Sequence, residues 1–169
     1  LWSRGLGDVY KRQSFAIPRR ARRRVTKLME TPCELCNSPG GMVLWRDAFC
    51  RVVLVEDAEY PGFCRVILEK HVKEMTDLAA PERARLMEVV FTAESALREA
   101  VRPDKVNLAS FGNAVPHLHW HVIPRWRDDR HFPGPVWAAP QRTAATRLDL
   151  PPARVAERLS ALLDESLAS

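Results

Sequence analysis

The sequence predicts an α+β domain: one antiparallel sheet of about five strands, packed against a long helix and a C-terminal helix. Three observations carry this. Five short β-rich runs follow one another, and the first three are joined by short turns that favour antiparallel neighbours. One long stretch repeats its apolar residues at helical spacing, and a second such stretch closes the chain. With 169 residues, 46% of them hydrophobic and 28% charged, the chain can bury a sizeable core, which excludes disorder of the whole. No apolar run approaches the ~18 residues of a membrane span.

The elements follow in order. Residues 1–28 hold nine basic residues and one acid, a net of +8, whereas residues 29–169 hold 17 bases and 20 acids, a net of −3. The leader has no periodic apolar pattern and resembles vector read-through, so Met29 is the expected start of a domain over 29–169. The overall charge of +5 is therefore a property of the leader, and gives no reason to expect nucleic acid or a membrane as partner. Four cysteines without secretory context point to a reducing, cytoplasmic compartment. Cys50 and Cys64 fall within expected strands and read as buried small hydrophobes. Cys33 and Cys36 form a Cys-x-x-Cys knuckle before the turn Asn37-Ser38-Pro39-Gly40-Gly41, where two thiolates can meet one metal or each other.

Met42–Arg46 and Phe49–Glu56 read as strands about a turn near Asp47, and Phe63–Glu69 as a third strand opened by Tyr60-Pro61-Gly62. Pro81 suits the first turn of a helix, which Leu86, Val90, Ala93 and Leu97 stripe and which stops near Arg102-Pro103. Lys105–Ser110 and His117–Ile123 are two further strands. A Pro-rich loop of about two dozen residues follows, longer than an ordinary connector. Pro151-Pro152 then opens a last helix, with Val155, Leu159, Leu162 and Ser166 on one face.

Three of the chain's five histidines lie within five residues of the fifth run. Alternation along a strand puts His117, His119 and His121 on one face, and Leu118, Trp120 and Val122 on the other. Two chemistries fit such a ladder. Imidazoles at i and i+2 can chelate a catalytic zinc, as in a metallohydrolase. They can also serve phosphoryl chemistry, one ring as nucleophile and the others as hydrogen-bonding or acid groups.

His117-Leu118-His119-Trp120-His121-Val122-Ile123 resembles the His-φ-His-φ-His-φ-φ signature of the histidine triad superfamily of nucleotide hydrolases and transferases. The trailing Pro124-Arg125 is similar to its bacterial diadenosine-polyphosphate-hydrolase-like branch. The resemblance runs from about Cys33 to Arg125, and includes Gly62 with His71 and Asn107 before the Gly112-Asn113 loop. It implies that His119 attacks the α-phosphate of a dinucleoside polyphosphate or nucleoside phosphoramidate through a nucleotidyl-histidine intermediate. His121 would bind phosphate and assist the leaving group, and His117 would orient His119. Asn107 and Asn113 would meet phosphate or leaving group, and Glu56 or Asp57 would clasp the ribose. A polyanionic ligand is then expected to be met by a local cluster of the histidines, the asparagines and Arg125 rather than by a basic surface. Cys33, Cys36, His71 and His117 occupy the four positions of a structural zinc site, a closed Cys2His2 set. No organic cofactor is implied, and a homodimer is. Phe63 stands where many members carry a histidine, and Ala114 where Ser or Thr is common. His131 and Trp137 receive no role. A zinc-stabilised nucleotide-binding module without turnover is the remaining alternative.

Overall fold

The computed structural model describes residues 33–143, 147 and 150–168. The expected leader and the boundary near Met29 lie outside the described residues.

The elements are α1 (Glu34–Asn37), β1 (Met42–Arg46), β2 (Cys50–Leu54), β3 (Cys64–Leu68), a 3-10 turn (Met75–Asp77), α2 (Ala80–Val101), β4 (Lys105–Ala109), β5 (His119–Arg125) and α3 (Pro152–Leu167). The five strands form one sheet in the order β1-β2-β3-β5-β4, antiparallel at every pairing. The α2 crossover carries the chain past a vacant position to β4, and β5 returns to fill it. The histidine-bearing strand is thereby central, paired on both sides.

Local chemistry explains the turns. Asp47 closes the β1–β2 hairpin by accepting the Phe49 and Cys50 amides on Oδ1, at 2.8 and 2.7 Å. Tyr60-Pro61-Gly62-Phe63 has Pro at its second position and Gly62 at φ +92° at its third, where a side chain would be strained. The Phe63 amide donates to the Tyr60 carbonyl at 2.9 Å across it. In α2 the Glu82 carboxylate accepts the Ala79 amide at 2.8 Å, satisfying one otherwise free donor at the helix start. Arg102, at φ 47°, ends the helix in the left-handed conformation ahead of Pro103.

Alternation divides the sheet. Val52, Leu54, Cys64, Val66, Leu68, Val106 and Val122 face Leu86, Val90, Ala93 and Leu97 of α2 and Leu159 and Leu163 of α3 in one apolar core. Arg51, Arg65, Ile67, Asn107, His119, His121 and Arg125 belong to the opposite face by register. Cys50 and Cys64 are buried as expected, and burial pushes both thiols up to about 12.

The strand ends differ from the sequence reading: β2 is Cys50–Leu54 rather than Phe49–Glu56, β3 is Cys64–Leu68 rather than Phe63–Glu69, β4 stops at Ala109 rather than Ser110, and β5 runs on to Arg125 rather than ending at Ile123. The fifth strand begins at His119, not His117, because the His117 amide turns back to the Val115 carbonyl at 2.8 Å. In α3 the buried set is Val155, Ala156, Leu159, Leu162 and Leu163, and Ser166 is exposed. The stripe follows the i, i+3, i+4 rows and continues to Leu167, which packs against the core, while Ser166 beside it stays on the solvent side.

Candidate active site and metal cluster

His119 and His121 point from the centre of the sheet into a cleft of about 470 Å3. Glu34, Leu35 and Arg65 line it on the β3 side, and Phe111, Asn113, Ala114, Val115 and Trp137 come from the loops beyond β4 and β5. The Nδ1–H of His119 donates to the His117 carbonyl at 2.6 Å. That bond consumes Nδ1 as donor and leaves the Nε2 lone pair free, which is the tautomer a nucleophile needs. Burial lowers the pKa of His119, and the nearby Arg65 cation adds to it, so the ring is neutral at pH 7. His121 lies 4.9 Å from His119 between ring centroids, and burial with its neighbours takes its pKa to about 4. The His121 Nδ1 is buried with no protein partner.

His117 serves a different group. Fully buried, it donates Nε2–H to the Leu68 carbonyl at 2.7 Å, so that its Nδ1 lone pair faces Cys33 and Cys36 Sγ, each 3.4 Å away. Its Nδ1 is 3.3 Å from His71 Nδ1, which is 3.3 Å from Cys36 Sγ. Ligand atoms of Cys33, Cys36, His71 and His117 all lie within 4.8 Å of one another. Metal–ligand bonds of 2.0–2.3 Å set tetrahedral edges of about 3.5 Å, so four soft or borderline donors converge at zinc spacing. Arg51 of β2 holds the knuckle down: its guanidinium donates to the Leu35, Ser38 and Pro39 carbonyls at 2.6, 3.2 and 2.9 Å. Glu69 pairs with the same guanidinium at 3.1 Å. Leu35 also packs on Val53 and Ile67.

The remaining expected site residues separate. Asn113 lines the cleft. Asn107 does not: its Oδ1 accepts Arg125 Nη1 at 2.6 Å. Glu56 is exposed and Asp57 caps its own turn, accepting the Glu59 amide at 2.9 Å; neither lines the cleft. Arg125 is committed to Asp129, whose Oδ2 and Oδ1 accept Nε at 2.7 Å and Nη2 at 3.1 Å. Asp129 organises the long loop, also accepting the Trp126, His131 and Phe132 amides. His131 belongs to that scaffold, its Nδ1 2.6 Å from the Tyr60 hydroxyl. The loop sets Trp137 5.4 Å from His121 and 4.8 Å, edge to face, from Phe111.

Arg65, Glu34 and Phe111 are cleft residues that motif reasoning passed over. Arg65 had a visible signal, being the one charge inside the run Phe63–Leu68. Phe111 and Glu34 had none, since the loop after β4 brings in the first and the short helix α1 the second.

The HIT domain family matches residues 40–128, more than half of the chain. The chain belongs to the HIT family. Outside that assignment, the AP-4-A phosphorylase of Mycobacterium tuberculosis is 32% identical over 98 residues, covering 54% of this chain and 50% of that protein. The HIT chain thus spans about half the length of the curated relatives it matches. Among solved structures, a histidine triad protein from Marinobacter aquaeolei is 26% identical with a TM-score of 0.64, over 80% of this chain and 96% of that one. A histidine triad protein from Bradyrhizobium japonicum is 28% identical with a TM-score of 0.60, over 76% and 91%. A Zn-bound histidine triad family protein from Mycobacterium smegmatis, 22% identical with a TM-score of 0.57 over 81% and 96%, shares the HIT fold.

Proposed function

We propose that this HIT protein cleaves at the α-phosphate of a dinucleoside polyphosphate or nucleoside phosphoramidate, with His119 as nucleophile. One observation carries the reading: the His117 carbonyl holds His119 Nδ1–H, which presents a neutral Nε2 to the cleft. Nε2 forms a bond to the α-phosphorus while the bond to the leaving group breaks. The departing phosphate or amine takes the electron pair. His121 and Asn113 line the same cleft and supply hydrogen bonds to phosphoryl oxygens as charge grows there. Water then attacks phosphorus, the P–N bond breaks, and nucleoside monophosphate leaves with His119 restored. Phe111 and Trp137 offer aromatic faces to a base or to an aromatic leaving group.

Asn107, Glu56 and Asp57 are not carried into this mechanism, because each is placed away from the cleft. A metallohydrolase built on the ladder is disfavoured. The His117 ring turns to the cysteines, and among the described residues the convergent ligand group is Cys33, Cys36, His71 and His117. Those four would hold a structural zinc, a closed set that fixes His117 and, through its carbonyl, the orientation of His119. The expected homodimer and cytoplasmic setting belong to the same proposal.

The test incubates the protein with diadenosine tetraphosphate and with an adenosine phosphoramidate, with and without His119→Ala. Water as acceptor yields AMP and ATP from the tetraphosphate; added orthophosphate as acceptor would yield ADP and ATP. Turnover lost in the variant, with a nucleotide trapped on His119 in the native protein, is the expected result. Equal turnover in both proteins refutes the assignment, and binding without turnover in the native protein favours the non-catalytic module.

A further inference from the structure

Four arginines belong by register to the site face of the sheet: Arg46, Arg51, Arg65 and Arg125, of which Arg46 is exposed and pairs with Glu69 at 2.8 Å. Two are buried and answered by carboxylates, Arg51 by Glu69 at 3.1 Å and Arg125 by Asp129 at 2.7 Å. Arg65, half-buried at the centre of β3, forms no ion pair among the described residues. Its protein hydrogen bond is a long one, from Nη1 to the Gly40 carbonyl at 3.4 Å, and its Nε is buried with no partner at all. The nearest face it meets otherwise is the Phe63 ring, 6.0 Å from Cζ to centroid. Burial lowers the pKa of Arg65; the Glu34 carboxylate, which lines the same cleft but forms no ion pair with it, opposes that shift without cancelling it. A half-buried guanidinium without a directly bonded counter-charge is costly.

The cation is placed where an anion would be processed. Arg65 is the cross-strand partner of His121, and both line the cleft that holds His119. The orphaned Nε of Arg65 and the orphaned Nδ1 of His121 therefore belong to one register pair. Two residues that face each other across the strands, both lining the cleft and each with a polar atom the protein leaves unpartnered, mark a place completed by a ligand.

We infer that Arg65 is the substrate-binding cation of this cleft, donating charge-assisted hydrogen bonds to the phosphoryl oxygens of the nucleotide that His119 attacks. This rests on the nucleotide reading above, and gives Arg65 the part that sequence position had suggested for Arg125. The planar fork of Arg65 suits two phosphoryl oxygens at once, which a lysine cannot reproduce. The assignment predicts a preference for ligands that carry phosphate over the same nucleosides without it.

The experiment measures binding of the four common nucleoside 5′-monophosphates and their parent nucleosides, by calorimetry, to the native protein, Arg65→Met and Arg65→Lys. Urea unfolding of all three proteins is run alongside. Arg65→Met should weaken the monophosphates roughly ten- to a hundredfold, leave nucleoside affinity unchanged, and keep or raise the unfolding midpoint. Arg65→Lys should fall between. Turnover of diadenosine tetraphosphate by Arg65→Met should drop in kcat as well as in kcat/KM, since charge on those oxygens rises in the transition state. Monophosphate affinity within twofold of native in Arg65→Met overturns the inference while leaving the nucleotide reading intact. Equal loss of monophosphate and nucleoside, or a lowered midpoint in both variants, makes Arg65 structural and overturns it too. Failure of the native protein to bind any monophosphate overturns both.

Discussion

Replacing Asp129 by Ala removes the carboxylate that answers a guanidinium buried to 2% exposure, and Asp129 itself is only 3% exposed. Two charge-assisted hydrogen bonds disappear, at 2.7 and 3.1 Å, and Arg125 keeps only neutral acceptors, the Asn107 amide oxygen and the Gly134 carbonyl. Breaking a buried pair by removing one partner costs roughly 3–5 kcal/mol, because the other charge stays desolvated. The Trp126, His131 and Phe132 amides lose their acceptor as well, although water entering the space left by the carboxylate recovers part of that. The expected loss is about 4 kcal/mol. With a urea dependence of about 2 kcal/mol per molar, the unfolding midpoint falls by about 2 M. Asp129→Asn keeps the shape but not the charge, and should fall between. The double change Arg125→Met, Asp129→Leu should recover much of the loss, since no unpaired charge remains. The loop that Asp129 organises also carries Trp137, so the single variant should lower turnover beyond its effect on stability. A midpoint shift in Asp129→Ala below about 0.5 M, or about 1 kcal/mol, would refute the reasoning.

Further outcomes follow from the same geometry. His121 is neutral in the folded protein, with a pKa depressed to about 4 against an ordinary 6.5, so the unfolded chain binds the extra proton first. Its contribution is fully present above pH 6.5 and is lost as pH falls toward 4, about 2 kcal/mol of it by pH 5; urea midpoints at pH 8 and pH 5 should show this, and His121→Asn should flatten the difference. Elemental analysis should find one zinc per chain, and chelation or Cys33→Ser should lower Tm; substoichiometric metal together with an unchanged Tm in Cys33→Ser would refute the metal centre. Arg102→Gly relieves a left-handed residue at the end of α2 and should stabilise by up to about 1 kcal/mol, measured by thermal unfolding.

Much of the fold is written in local pattern. The α2 stripe Leu86, Val90, Ala93 and Leu97 is wholly buried, and the turns at Asp47 and Tyr60-Pro61-Gly62 lie where their residues demand them. These depend on interactions a few residues apart, which composition and spacing express directly. The candidate site divides differently. The His ladder is a period-two signal and Cys-x-x-Cys a short spacing; the structure opens His119 and His121 to the cleft and gathers Cys33, Cys36, His71 and His117 into the other group. Arg125 misled because a lone charged residue beside a motif carries no record of its counter-charge. Asp129, four residues further on and on a loop, is what withdraws Arg125 and Asn107 from the cleft.

By itself the sequence determined the α+β class, the ladder of histidines and the Cys33-x-x-Cys36 pair, because each follows from periodicity or from a short fixed spacing; His71 and His117 joined that pair only through the family resemblance. Only the tertiary structure decided how those histidines divide their work. His119 and His121 open into the cleft, while the turn at His117 swings its ring to the cysteines and offers its carbonyl to His119. It also decided which charges remain available. Pairing across strands and loops neutralises Arg51 and Arg125 and leaves Arg65 facing the cleft, since the partner of a buried charge is set by packing rather than by distance along the chain.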